Sequence, residues 1–315
     1  MTQQASPSSR SQAMTVLLLA LLLGLQPVTT DLYLPALPAL TQGFGASMVQ
    51  AQLTLTALLL AFGTSQLFWG PLSDKWGRRP VLLGGIAVYV GAAIACALAP
   101  GIETLIAART LQGVAMGACV MAARAVIRDL YEPVQGAKVM SQALSGLGAI
   151  ACTCVPVGGF LTDLLGWRWA LTSLVVFAAA TGALIYFFFE ESLVQRNPKA
   201  LQAKVLWASI KHIVRHPTFQ AYSALSTASF AGLFTFLASS SFVFIGLVGL
   251  ARWQYGLLLF SMAFTYILGT LLCRRLLVRF GVPRTVAIGG AFSLVGGCWM
   301  TFNAWLGWQS VVGLM

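Results

Sequence analysis

The sequence predicts an all-α polytopic membrane protein, and three observations carry that reading. Of 315 residues, 58% are hydrophobic and only 9% charged, against the ~25% charged residues of a typical soluble domain. The apolar residues gather into stretches long enough to cross a bilayer, where the backbone must satisfy its own hydrogen bonds in helices. The basic residues fall almost wholly on alternate connections, as membrane orientation requires. A mean hydropathy of +0.83 agrees. The formal charge of +11 does not mark a nucleic-acid binder, because its cations are scattered through short connections.

Spans are expected at 14–40, 48–69, 81–99, 103–123, 138–162, 168–189, 218–247, 254–273 and 285–304. Each approaches or exceeds the ~20 residues needed to cross the hydrocarbon core. A tenth apolar segment starts near Trp305 and runs to Met315. The first span, following Arg10, resembles a signal peptide at its start. No small-residue cleavage motif follows, however, and the apolar character resumes at Leu32.

That first span carries "TTDLYLPALPAL", with Asp31 among Pro27, Pro35 and Pro38. An aspartate in lipid is costly, so it is expected to meet a water-filled cavity or a substrate. Neighbouring helices can satisfy the carbonyls that the prolines leave unpaired. After the second span, "GPLSDKWGRRP" (70–80) reads as a loop in which Gly70 and Gly77 permit a tight turn and Asp74 sits among Lys75, Arg78 and Arg79. Arg109 lies inside the fourth span, where a charge costs at least about 2.5–3.5 kcal/mol. It must therefore face an internal cavity or a partner, or bond to backbone carbonyls in the bundle. The fifth span holds "CTCVPVGG", whose Pro156, Gly158 and Gly159 allow a bend and close packing.

The longest interruption, 190–217, contains Leu206, Ile210, Ile213 and Val214, with Lys204, Lys211 and Arg215 elsewhere on the helix surface. A short amphipathic helix lying on the inner membrane face is expected. His212 and His216 have i, i+4 spacing but no acidic companion, so a solvated basic face is expected there and no metal site. In the seventh span Phe230, Phe234 and Phe236 recur at helical spacing, as a cavity lining or as packing. All six cysteines lie in apolar runs and read as small packing residues. With a cytoplasmic N-terminus, sixteen of nineteen basic residues fall inside; only Arg168 and Arg252 fall outside, and Arg109 lies within a span.

The ordered glycine–acid–glycine–arginine spacing of the 70–80 loop resembles the signature of the major facilitator superfamily almost residue for residue. "LIAARTLQGVAMG" (105–117) resembles that family's second signature, with Arg109, Gln112 and Gly113 at the expected places. "TDLYLPALPAL", "RAVIRDLY" (124–131) and "FTFLASSSFVFI" are similar to the Bcr/CflA branch of drug:proton antiporters. Two positions depart from that branch. Ser240, Ser241 and Phe242 stand where it has a Ser–Pro–Phe run, and Pro156 is one place closer to the glycines than in its fifth-helix motif.

The resemblance implies a major facilitator fold of three-helix inverted repeats in two halves. The expected division is a tail (1–13), a six-helix bundle (14–189), a cytoplasmic connection (190–217) and an incomplete second bundle (218–315), because nine spans supply only three of four repeats. It implies proton-coupled export of small drug-like molecules across a bacterial inner membrane, by a monomer working with protons, a small-molecule substrate and the lipid bilayer. Asp31 would carry the proton and Arg109 would tune its exchange. Tyr33, Gln112, Phe230 and Phe234 would line the substrate cavity. Gly70, Asp74, Gly77, Arg78 and Arg79 would form the gating loop. In the family the loop acid meets the eleventh helix, so Asp74 is expected to lack that partner here. Asp129, just beyond the fourth span, would pair with Arg78 or Arg79 as a cytoplasmic latch. Two other readings stay open: a metabolite transporter of the same fold, and a truncated remnant or partner subunit without transport activity. No nucleophile–base pair, nucleotide loop or metal-ligand cluster points to an enzyme, and no cofactor is expected.

Overall fold

The structure, a computed structural model, describes residues 9–198 and 200–306; the side chains of Arg10, Lys138, Lys199, Lys204, Arg252 and Arg274 lie outside the described set, as does most of the tenth apolar segment. Ten α-helices follow in order: α1 (Ser9–Thr30), α2 (Leu37–Phe44), α3 (Met48–Trp76), α4 (Arg78–Ala97), α5 (Ile102–Leu130), α6 (Pro133–Leu165), α7 (Trp167–Phe188), α8 (Ala203–Arg215), α9 (Pro217–Ser241) and α10 (Arg252–Trp305). A 3-10 turn (Leu34–Ala36) links α1 to α2, and a π-helical turn (Phe242–Leu247) continues α9. Among the described residues, eight helical stretches are long and apolar enough to cross a membrane. The expected span 254–273 is helical as well, within α10.

The expected first span is not one helix. Proline at position 35 has no amide hydrogen to offer, so the α-helical ladder stops at Thr30. The chain then tightens, with the Leu34 amide bonding to the Asp31 carbonyl, before α2 resumes at Leu37.

The expected loop 70–80 is also corrected. Gly70 and Pro71 lie inside α3, which runs on to Trp76. The turn is Gly77 alone, at φ +107°, a conformation that side-chain-bearing residues rarely adopt. The same construction recurs. Gly166 (φ +92°, ψ 164°) joins α6 to α7, and Gly281 (φ +72°, ψ 176°) breaks α10 into helical stretches at 252–280 and 282–305. In each run of three membrane-length helices, one glycine links the second to the third. A three-helix plan thus recurs along the backbone.

The core of the first seven helices is built by α3 on α5, α1 on α6, and α4 on both α5 and α7. Leu19, Leu22 and Leu25 of α1, Leu55 and Leu58 of α3, Leu82 and Tyr89 of α4, and Met116 and Cys119 of α5 are all buried there. Close approach is set by α5 glycines four apart. A Cβ at Gly113 would strike the Leu58 carbonyl oxygen, and one at Gly117 would strike Ser65 Oγ, as in small-residue helix seams. Cys96, Cys119, Cys152 and Cys154 are buried packing residues, whereas Cys273 and Cys298 are exposed on α10. The second half meets the first chiefly through α10 on α6. There a Cβ on Gly256 would come within 3.0 Å of Pro156 Cα. α9 is exposed over 217–233 and buried only at its end, at Ser240 and Ser241.

Candidate functional site

Arg109 is the centre of the site. It is 0% exposed on α5, and its Nη1 donates to the Thr29 carbonyl (3.1 Å) and to Gln112 Oε1 (3.0 Å). Its guanidinium carbon lies 3.8 Å from the centre of the Tyr33 ring, an arrangement favoured when the cation is desolvated. The Tyr33 hydroxyl reaches Thr54 Oγ1 of α3 at 2.8 Å. The Tyr89 hydroxyl of α4 lies 2.5 Å from Thr29 Oγ1. Four helices therefore meet around one buried cation, and each contributes a polar contact.

The network leaves donors in hand. Nε and Nη2 of Arg109 and the amide nitrogen of Gln112 are buried without a hydrogen-bond partner among the described residues. A buried positive charge with two unpartnered donor nitrogens is costly by itself. Such a group can receive a carboxylate, a substrate oxygen or water.

Asp31 lies two residues beyond Thr29, where α1 breaks, and is partly buried. Its Oδ1 accepts from Thr30 Oγ1 at 2.7 Å, and no ion pair joins it to Arg109 among the described residues. The two are related through the Thr29 carbonyl and not directly. The 3-10 turn that follows Asp31 packs against α6, α9 and α10, so Asp31 stands next to the seam between the first half and α10. The Tyr255 hydroxyl is held by Ser240 Oγ of α9 at 2.6 Å. On α6, a Cβ at Gly158 would strike the Leu32 carbonyl oxygen. Gly158 thus lets α6 lie against the break in α1, with Gly159 buried beside it, while Pro156 faces Gly256.

The expected cavity residues are divided. Gln112 joins Arg109. Tyr33 is 0% exposed and serves in this conformation as the platform beneath the guanidinium, not as an open aromatic wall. Phe230 and Phe234 stack on each other along α9 with ring centres 6.2 Å apart, and Phe230 is exposed. The structure does not bring them into the Arg109 network.

At the opposite end of the bundle, Arg78 is 1% exposed and is held by two carboxylates, Asp74 at 2.7 Å and Asp129 at 2.7 Å. Asp129 lies within α5 and not beyond it, because "RAVIRDL" continues the helix to Leu130. Its pair joins α5 to α4, two elements of the same bundle, so it fixes the signature turn without bridging the halves. Arg79 takes another course and donates to the Tyr186 carbonyl at 2.9 Å. Beside Asp74 an open groove of about 320 Å³ runs between α3 and α5, lined also by Gly70, Arg124 and Arg128.

Sequence reasoning passed over Glu191. Its carboxylate accepts the backbone amides of Arg78 (2.8 Å), Arg79 (3.2 Å) and Leu193 (3.1 Å). It caps α4 from just beyond the end of the neighbouring α7 and clips the central connection onto the signature turn, where the Asn197 amide also reaches the Asp74 carbonyl at 2.9 Å. No local pattern announces a cap supplied from more than a hundred residues away. Tyr89 was legible in principle, since a tyrosine mid-span needs a partner for its hydroxyl.

Comparison with known proteins agrees with this architecture. The family model of the Major Facilitator Superfamily matches residues 19–315. The chain is 31% identical over 306 residues to a chloramphenicol resistance protein of Pseudomonas aeruginosa, covering 97% of this chain and 72% of that protein. It is 27% identical over 309 residues to a bicyclomycin resistance protein homolog of Haemophilus influenzae, covering 97% and 77%. Among solved structures, a bacterial homolog of the human lysosomal transporter Spinster, inward-facing and unoccupied, superposes with a TM-score of 0.67 at 18% identity, over 87% of this chain and 65% of that one. A D-xylose–proton symporter gives 0.64 at 16%, over 85% and 69%. At those identities the two structures speak for the fold alone. That fold and family are those of transporters and not of enzymes, and the protein is a multi-pass membrane protein. The chain belongs to the Major Facilitator Superfamily, on the Bcr/CflA-type branch that its first span, the stretch after its fourth and its seventh span resemble.

Proposed function

We propose that this chain exports small drug-like molecules across the bacterial inner membrane in exchange for protons, by alternating access, with its N-terminus in the cytoplasm. The observation that carries the reading is the buried Arg109, two of whose three donor nitrogens are unpartnered among the described residues, bonded to α1 two residues before Asp31. A fixed cation of this kind favours ionisation of a carboxylate brought near it and opposes its reprotonation. Protons from outside load Asp31 at the seam. Substrate entering from the cytoplasm engages the free donors of Arg109 and Gln112, Asp31 releases its proton inwards, and rocking of the halves exposes the substrate outside. The names of the two resistance-protein relatives support a drug as cargo.

The test is proton flux in inside-out vesicles under an imposed pH gradient. Chloramphenicol and bicyclomycin head the panel, and the unaltered chain is compared with Asp31→Asn. Drug-triggered proton movement that vanishes in the variant is the expected result. Equal flux in both removes Asp31 from the mechanism, and silence from both, despite normal insertion, removes the antiport reading.

A further inference from the structure

The charge of this chain is divided unevenly. Up to Glu191 there are nine cations and eight carboxylates; after Glu191 there are ten cations and no carboxylate at all. In the first half several cations find partners within the fold. Arg78 has Asp74 and Asp129, Arg79 and Arg168 have backbone carbonyls, and Arg109 has Thr29 and Gln112. Within residues 192–315 no carboxylate exists to play that part. An anion from outside this stretch would be attracted to it.

Helix α8 shows what kind of group fits. Trp207 is 70% exposed, Ile213 and Val214 each 49%, and Ile210 37%. At helical spacing these residues and Leu206 share one arc, and Lys204, Lys211 and Arg215 fall together on the adjoining strip. Lys211 and Arg215 are exposed. An apolar arc flanked by cations matches a bilayer interface, in which acyl chains lie beside phosphates; long basic side chains reach back to the headgroups while their stems stay in the apolar layer. An acidic protein would satisfy the cations but would leave the exposed tryptophan, isoleucines and valine in water. The stretch around Gly281 reaches the same side of the membrane, since α9 and 252–280 cross in turn, and it adds exposed Arg275, Arg279 and Arg284.

We propose that α8 docks on anionic phospholipid headgroups and holds the connection between the two halves flat on the membrane surface, with the acid-free rim of the second half as the attracting field. Anionic lipid should be enriched around the helix by about five-fold for each cation engaged. The interaction is independent of the transport reading, because it requires neither Asp31 nor substrate.

The experiment uses the full chain reconstituted in phosphatidylcholine vesicles containing a minority of phosphatidylglycerol. Bromine is carried on the acyl chains of one lipid or the other at equal mole fraction. Quenching of Trp207 is isolated by subtracting the Trp207→Phe chain. Brominated phosphatidylglycerol should quench several-fold more strongly than brominated phosphatidylcholine. Lys211→Gln with Arg215→Gln should equalise the two lipids, and Lys211→Arg with Arg215→Lys should keep the difference. Equal quenching by both lipids in the unaltered chain overturns the proposal in favour of an interfacial helix indifferent to headgroup charge. Absence of quenching by either overturns it in favour of a protein-covered or solvated face.

Discussion

A charge buried without a carboxylate needs its neighbours chosen atom by atom, and Arg109 shows how that is done. The Tyr33 ring beneath the guanidinium contributes about 1–2 kcal/mol when the cation is desolvated, and the Thr29 carbonyl fixes the azimuth of the fork. Tyr33→Leu should therefore lower thermal stability in detergent by about 2 kcal/mol. Tyr33→Phe keeps the ring and loses only the Thr54 bond, so it should cost about 1 kcal/mol. An equal loss in both variants would mean that the hydroxyl and not the ring matters. At this scale the sequence marked Asp31 and Arg109 as candidates, because a charge in an apolar span has few reasons to be there. It was silent about what they touch. Nothing in "TTDLYLPALPAL" says that Thr29 would stand between Asp31 and Arg109.

Among elements, the seam between α3 and α5 decides how tightly the first bundle closes. Gly113 presses on the Leu58 backbone and has no room for a methyl group, whereas Gly84 of α4 has nothing within 4 Å of the same position. Opposite outcomes follow. Gly113→Ala should destabilise by about 1–3 kcal/mol through overpacking against backbone. Gly84→Ala should be neutral or stabilising by up to about 1 kcal/mol through helix propensity. Thermal unfolding of the two variants side by side checks both signs. The spacing of Gly113 and Gly117 was visible in the sequence. The helix ends were less so: Gly70–Pro71 reads as a break, yet α3 passes straight through it, since one proline in a membrane helix can be accommodated by neighbouring groups. The extension of α5 to Leu130, which puts Asp129 inside the helix, was hidden for a related reason. Hydropathy falls where a span leaves the lipid, but the helix does not stop there.

For the whole molecule, α10 approaches the first half closely where Gly256 meets Pro156, next to the Ser240–Tyr255 pair. If rocking of the halves drives transport, that seam has to open. Pro156→Cys with Gly256→Cys, in a chain cleared of its own six cysteines, should form a disulfide on oxidation, stop export, and recover on reduction. Undiminished export with the bridge in place would show that the seam stays shut throughout the cycle. The alternation of long apolar stretches and cation-bearing connections made the span plan readable in advance. Which helix would lie against which was carried by glycines and by backbone contacts between distant residues, and these leave little trace in hydropathy.

The three glycine turns have a mechanical consequence. A connection of one residue holds no slack, so α3 with α4, α6 with α7, and the two stretches of α10 must each tilt as one bent lever. Compliance is left to the longer straps at 45–47, 98–101, 189–202 and 248–251. Lengthening the turn at Gly77 by even a pair of residues would turn a rigid crank into a loose chain.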